Sequence, residues 1–182
     1  MNEAIGFVEL SSIARGIESA DTILKTAETR LIFARETCPG KYTILFCGDV
    51  AAVTASAEAV KNLCGHYVVD SVVIPRIAPQ VIPAINQCSL PRGLNALGVL
   101  EFYTVTCAVY AADAAVKAAD VELLNVRLAT GIGGKSFVVL TGDVAAVKAA
   151  VDAGALEAGR SGAIVAVTVI PNPRPEVFET LL

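Results

Sequence analysis

The chain has 182 residues, of which 54% are hydrophobic and 18% charged, with mean hydropathy +0.62 and net charge −4. That length suits one ordinary domain or two small ones. No apolar run approaches the roughly 20 residues that a membrane-spanning helix needs. No basic-then-apolar leader opens the sequence either, because Glu3 arrives at once. The acidic balance, with pI near 5.0, argues against a nucleic-acid groove, which needs clustered Lys and Arg. The remaining explanation for so apolar a composition is surface covered by other protein subunits. Five cysteines, with no CxxC pair, fit free thiols in a reducing cytoplasm better than a disulfide framework.

Taken in chain order, residues 4–10 read as a strand. Ile13, Ile17, Ala20, Leu24 and Ala27 recur at helical spacing across 12–27 and predict an amphipathic helix with that stripe inward. Arg30–Glu36 and Lys41–Cys47 are β-rich runs on either side of Thr37-Cys38-Pro39-Gly40, a hairpin signature. Asp49 is placed to cap a second helix carrying Val50, Val53, Ala57 and Val60 on one face. A last strand runs from Tyr67 to Ile74 and ends at Pro75.

The same grammar then starts again. Residues 4–10 (AIGFVEL) match 96–102 (ALGVLEF) at an offset of 92, as do Ala20-Asp21 with Ala112-Asp113 and Lys25 with Lys117. After a two-residue insertion Lys41–Val53 aligns with Lys135–Val147, and after another Val73-Ile74-Pro75 aligns with Val169-Ile170-Pro171. Matches in unbroken order identify a tandem duplication. We place the joint in the Pro- and Gly-punctuated stretch 89–95, giving domains 1–91 and 92–182. Each half, β-α-β-β-α-β, predicts a ferredoxin-like α+β unit: a four-stranded antiparallel sheet with two helices on one face.

Gly131-Ile132-Gly133-Gly134-Lys135-Ser136 imitates a phosphate-binding loop, but Ala129 stands where the motif requires glycine, and a strand follows instead of a helix. Cys64 and His66 form only a two-ligand fragment, read as a surface-turn histidine. Cys47 and Cys107 read as small buried hydrophobes and Cys88 as a linker thiol with no partner. Glu9 and Glu101 occupy equivalent repeat positions, which points to structure and not to an acid–base pair.

The ordered set of the opening AIGFVE, Ala20-Asp21 with Lys25, Gly48-Asp49-Val50 and Ile74-Pro75-Arg76 resembles the bacterial microcompartment shell domain, and the second copy repeats all but the last element. The resemblance implies a non-enzymatic protein of the cytoplasmic compartment shell. It implies a homotrimer of tandem chains forming a pseudo-hexamer, as closure of six equivalent positions by three chains also requires. It places Lys25, Lys117 and Arg76 at edges where tiles meet other shell proteins, although Asn172 replaces Arg76 in the second copy. It places Thr37, Cys38, Pro39 and Gly40, with Gly131, Ile132, Gly133 and Gly134, around a central pore.

If the first loop faces a threefold axis, three Cys38 thiolates converge there, a donor set suited to zinc or an iron–sulfur cluster. Within the family, this first-loop pattern is similar to the tandem shell proteins of propanediol-utilisation compartments. That similarity implies one [4Fe–4S] cluster per trimer, held by Cys38, for electron transfer across the shell or service to an encapsulated redox enzyme. The Pro-Gly turn would hold the loop tight and let backbone amides approach the sulfurs, and Lys41 and Lys135 would either add positive charge or stand as ordinary strand ends. The competing expectations are a cluster-free or zinc-bearing pore that conducts metabolites, and a closed ferredoxin-like trimer with a ligand-binding or regulatory task.

Overall fold

The computed structural model describes residues 4–89, 91–159 and 163–181. The chain divides into two compact units, 1–77 and 78–182. The first unit contains β1 (Ala4–Leu10), α1 (Ile13–Thr26), β2 (Thr29–Thr37), β3 (Lys41–Gly48), α2 (Val50–Cys64) and β4 (Val68–Ile74). The second contains α3 (Val81–Ile85), then β5 (Ala96–Phe102), α4 (Val105–Ala118), β6 (Val121–Leu128), β7 (Ser136–Gly142), α5 (Val144–Gly159), β8 (Ile164–Ile170) and α6 (Pro175–Glu179).

Both sheets are antiparallel, in the orders β2-β3-β1-β4 and β6-β7-β5-β8. This is the ferredoxin-like arrangement expected from the element order. Register breaks also recur at the repeat offset. The β1–β4 ladder shifts between Glu9 and Leu10, the β5–β8 ladder between Glu101 and Phe102, and β2 and β6 shift at Leu31/Phe33 and Leu123/Asn125. Bulges re-aim side chains and are retained features of a sheet, so their duplication shows that geometry was copied along with sequence.

In the first unit Ala4, Val8, Leu10, Ile44 and Phe46 meet Ile23, Val53, Ala57 and Val60 from the helices. Gly6 is required here, because a Cβ would lie 2.2 Å from the Phe46 ring. Asp49 occupies the N-cap position of α2 with extended backbone, but its side chain makes no capping bond. Val53, Ala57 and Val60 face inward as expected, whereas Val50 is exposed.

The inward face of α1 differs from the sequence expectation. Gly16, Ser19 and Ile23 are buried, while Ile13, Ile17 and Leu24 are exposed. The reason is close packing. A Cβ on Gly16 would meet the Tyr42 side chain at 2.3–2.4 Å, and Ser19 Oγ lies 3.1 Å from Cys64 Sγ on α2. Small residues are therefore required at Gly16 and Ser19, while Ile23 alone supplies a large apolar side chain to the core and Ile13, Ile17 and Leu24 are turned outward.

The unit boundary falls before Ala78, earlier than the 91/92 joint read from Pro and Gly punctuation. Residues 78–85 pack on the second unit: α3 lies against β6 and α4, with Val81, Ala84 and Ile85 buried. Leu90, within the expected joint, lies outside the described residues. In the second unit Phe178 of α6 covers Leu97, Leu124 and Val139 on the sheet face away from α4 and α5.

Candidate functional site

The two central hairpins are the divergent parts of the repeats. In the first, Thr37 pairs with Lys41, leaving the short turn Cys38-Pro39-Gly40. The Gly40 N–H donates to the Thr37 carbonyl at 3.0 Å. Gly40 has φ +88° with no atom within 4 Å of its missing Cβ, so it is retained for backbone conformation alone. Pro39 follows a cis peptide bond. The expectation that loop amides would approach the sulfur therefore needs correction: Pro39 has no N–H, and that of Gly40 closes the turn.

Cys38 at this tip is partly exposed. Cys47, Cys64 and Cys107 are buried as small core residues; Cys64 contacts Ser19, and Cys107 Sγ accepts from Thr104 Oγ1 at 3.0 Å. Cys88 is exposed and donates to the Asn86 carbonyl at 3.3 Å. Cys38 is thus a partly exposed thiol presented at a short, hydrogen-bonded loop tip. A [4Fe–4S] group fits this donor set only if copies combine, because no cluster of three metal-ligating side chains occurs among the described residues of one chain.

The second hairpin is longer. Leu128 pairs with Ser136, and the loop between them winds through positive φ at Ala129, Gly131, Gly133 and Gly134. Bonds from Ala129 N–H to the Lys135 carbonyl (2.9 Å) and from Ile132 N–H to the Ala129 carbonyl (3.3 Å) hold it together. Strand β7 follows directly, and Lys135 Nζ bonds Glu101 Oε1 at 2.9 Å. Neither a helix N-terminus nor a disengaged lysine is available, so the phosphate-loop reading stays excluded.

Sequence reasoning missed the ion pairs behind these loops. Lys41 Nζ lies 2.6 Å from Glu9 Oε1, and the Glu9 side chain is fully buried. Its Oε2 and the buried Thr37 Oγ1 have no hydrogen-bond partner among the described residues. The equivalent Glu101 side chain is 34% exposed. Glu101 holds the Lys135 ammonium above the usual lysine range through its hydrogen bond and then its charge. Each lysine is therefore matched by a carboxylate and adds no net charge at the loops. The signal was present in the duplication, which preserves Glu9/Glu101 and Lys41/Lys135 together.

The expected edge residues sit apart from the loops. Lys25 pairs with Asp21 at 2.5 Å on an exposed helix face, and Lys117 pairs with Asp113 at 2.5 Å. Asp113, nearly buried, also accepts the Ala78 N–H at 2.8 Å. Arg76 is exposed just beyond β4. His66 lies in a short exposed turn, its ring 4.1 Å from that of Tyr67, away from any ligand set.

Comparison with known proteins agrees with this duplicated architecture. The BMC domain family matches residues 4–77 and 96–173. Over all 182 residues the chain is 40% identical to the bacterial microcompartment shell protein PduT of Citrobacter freundii, covering 99% of that protein. One repeat's length, 86 residues, is 44% identical to the shell protein EutM of Escherichia coli, covering 47% of this chain and 87% of that one. A crystal structure of a microcompartment protein from Desulfitobacterium hafniense superposes with TM-score 0.89 at 45% identity, covering 98% of this chain and 99% of that one. The chain belongs to the BMC-domain family and is a structural shell protein of a bacterial microcompartment.

Proposed function

We propose that three copies close into a non-catalytic pseudo-hexameric tile whose central pore holds one [4Fe–4S] cluster through Cys38 of each chain. The observation that carries this reading is the inequality of the hairpins: a tight turn presents Cys38, whereas the equivalent loop offers glycines and no thiol. Around a threefold axis this gives three sulfur donors, leaving one cluster iron open to an exogenous ligand. When bound, the cluster supplies one-electron chemistry. The chain contributes the thiolates, the stiffness of the Cys38-Pro39-Gly40 turn and the Glu9–Lys41 pair behind it. The role is electron transfer across the shell, in exchange with an encapsulated redox enzyme. Lys25, Lys117 and Arg76 serve the lateral contacts with other shell proteins.

The test is anaerobic purification followed by iron and acid-labile sulfide analysis. Four irons and four sulfides per three chains are expected for this cluster type, with both lost in Cys38→Ala while the oligomer persists. Contents unchanged by that substitution would overturn the ligation. Trimers without iron or sulfide would favour the cluster-free metabolite pore, and trimers that never associate laterally would favour a closed regulatory assembly.

A further inference from the structure

The sheet faces that point away from the helices have diverged between the repeats. In the first unit Phe33 of β2 meets Phe7 of β1 edge-on, with ring centroids 6.2 Å apart. The Arg35 guanidinium lies 4.3 Å from the centre of the Phe33 ring, a cation–π contact that occupies it. Register and offset carry these positions into the second unit, where Phe7, Phe33, Arg35 and Thr43 become Val99, Asn125, Arg127 and Phe137. Two facing aromatic rings are lost and the arginine is kept. A new ring stands directly across from it, because Arg127 pairs with Phe137.

Around these residues the second unit has a cleft of about 680 Å³, walled in part by Leu124, Phe137 and Leu181 and by the polar side chains of Gln87, Asn125 and Arg127. No acidic residue lines it. Three of its groups are left wanting. Asn125 Oδ1 is buried with no hydrogen-bond partner among the described residues, a costly state unless a donor arrives. Arg127 is half-buried and makes no ion pair or hydrogen bond among the described residues, whereas its counterpart Arg35 is stacked on a ring. Gln87 has φ +57° just beyond α3, a position where glycine costs least, so a side chain is carried there at a conformational cost.

We propose that this cleft binds a small aliphatic hydroxycarboxylate, with its carboxylate on the Arg127 guanidinium, its hydroxyl donating to Asn125 Oδ1 and its hydrocarbon against Leu124, Phe137 and Leu181. The lining selects this class. A planar guanidinium is matched by a carboxylate through two parallel hydrogen bonds. The unpaired acceptor calls for a neutral O–H, because an ammonium group would face the arginine with no acidic side chain to offset it. Asn125 and Arg127 stand two residues apart on β6, about 7 Å along the strand, which separates the ligand's polar ends by a short chain. Oδ1 is sealed from solvent, so the amide turns about its soft terminal torsion to meet the hydroxyl, exchanging an unpaired acceptor for a bonded one.

The probe is 4-hydroxybutyrate, titrated into the full chain and followed by ligand-observed nuclear magnetic resonance. Saturable binding in the millimolar range or tighter is expected. Arg127→Gln should weaken it roughly 10- to 100-fold, the loss of a hydrogen bond between charged groups. Asn125→Ala should weaken it roughly threefold to tenfold while leaving the affinity for butyrate, which has no hydroxyl, unmoved. Arg35→Gln, the matched change in the filled repeat, should alter nothing. Asn125→Phe, which restores the first repeat's residue, should abolish binding, with circular dichroism reporting whether each variant keeps the fold. Absence of saturable binding by the wild type, or binding that survives Arg127→Gln in a folded protein, overturns the site. Equal losses in Arg35→Gln and Arg127→Gln overturn its placement. Butyrate binding as tightly as the hydroxy acid overturns the role given to Asn125, and 4-aminobutyrate binding as tightly overturns the ligand class.

Discussion

The two repeats share strand order and even bulge positions, yet they settle the same local problems differently. In the first, the central hairpin is a minimal turn, its supporting carboxylate is fully buried, and α1 carries its apolar stripe outward. In the second, the hairpin is a wound glycine loop, the carboxylate is one-third exposed, and α4 is buried nearly all round. What is held constant is the register that fixes every core side chain to its face. What varies is the hairpin loops, the exposure of the strand carboxylates and the faces of the first helices, with single core exchanges such as Phe46 for Leu140 fitted into the same register.

Substitutions made in matched pairs test this contrast. The largest effect is expected in the core. Phe46→Ala should cost about 3–5 kcal/mol and the equivalent Leu140→Ala about 2–5 kcal/mol, read as separate shifts in denaturant midpoint. Equal loss of both units' signals in either variant would show that the repeats do not unfold as the two units seen here. The ion pairs come next. Lys41→Ala strands a fully buried carboxylate and should cost about 3 kcal/mol at neutral pH, near the low end for a broken buried pair because Lys41 keeps some solvent contact. Lys135→Ala, beside the partly exposed Glu101, should leave the midpoint nearly unmoved. Comparable losses would erase the distinction drawn between the two carboxylates.

The turns should give smaller effects. Gly40→Ala and Gly131→Ala meet no atom within 4 Å, so each should cost only the left-handed backbone penalty, about 1–2 kcal/mol. A much larger loss in either would reveal a contact from another copy. The smallest effect is a pH dependence confined to the second repeat. Arg92, by its hydrogen bond, holds the Glu122 carboxyl below the usual range against the opposing effect of burial. A depressed carboxyl contributes stability that is present above its unfolded value and lost as pH falls through the folded one. Wild type should therefore lose slightly more than Glu122→Gln on acidification through that range, as read by thermal midpoints; parallel curves would remove the pair from the account.

Most of the scaffold was legible because duplication doubled every signal. The matches of 4–10 to 96–102 and 41–53 to 135–147 located the strands, and period did the rest. The buried face of α1 was not legible, since a hydrophobic stripe is the usual core signal and here close approach to Tyr42 and α2 selects Gly16 and Ser19 instead. The joint was read from Pro91 and Gly93, and that punctuation gives no sign that the segment before it, with Val81 and Ala84 fully buried, packs within the second compact unit. For the site, the sequence singled out Cys38 and both loops. It missed the carboxylates beneath Lys41 and Lys135, because a strand-borne glutamate and a lysine some thirty residues away have no spacing rule to connect them.

The fusion of two BMC domains in one chain also bears on how dilute a solution can be before a ring falls apart. A ring of six separate domains must recruit six bodies, and each contact competes with dilution. Covalent fusion fixes a high effective concentration of one domain for the other whatever the bulk value. If three chains close the ring, as proposed above, assembly should show roughly third-order concentration dependence in place of sixth.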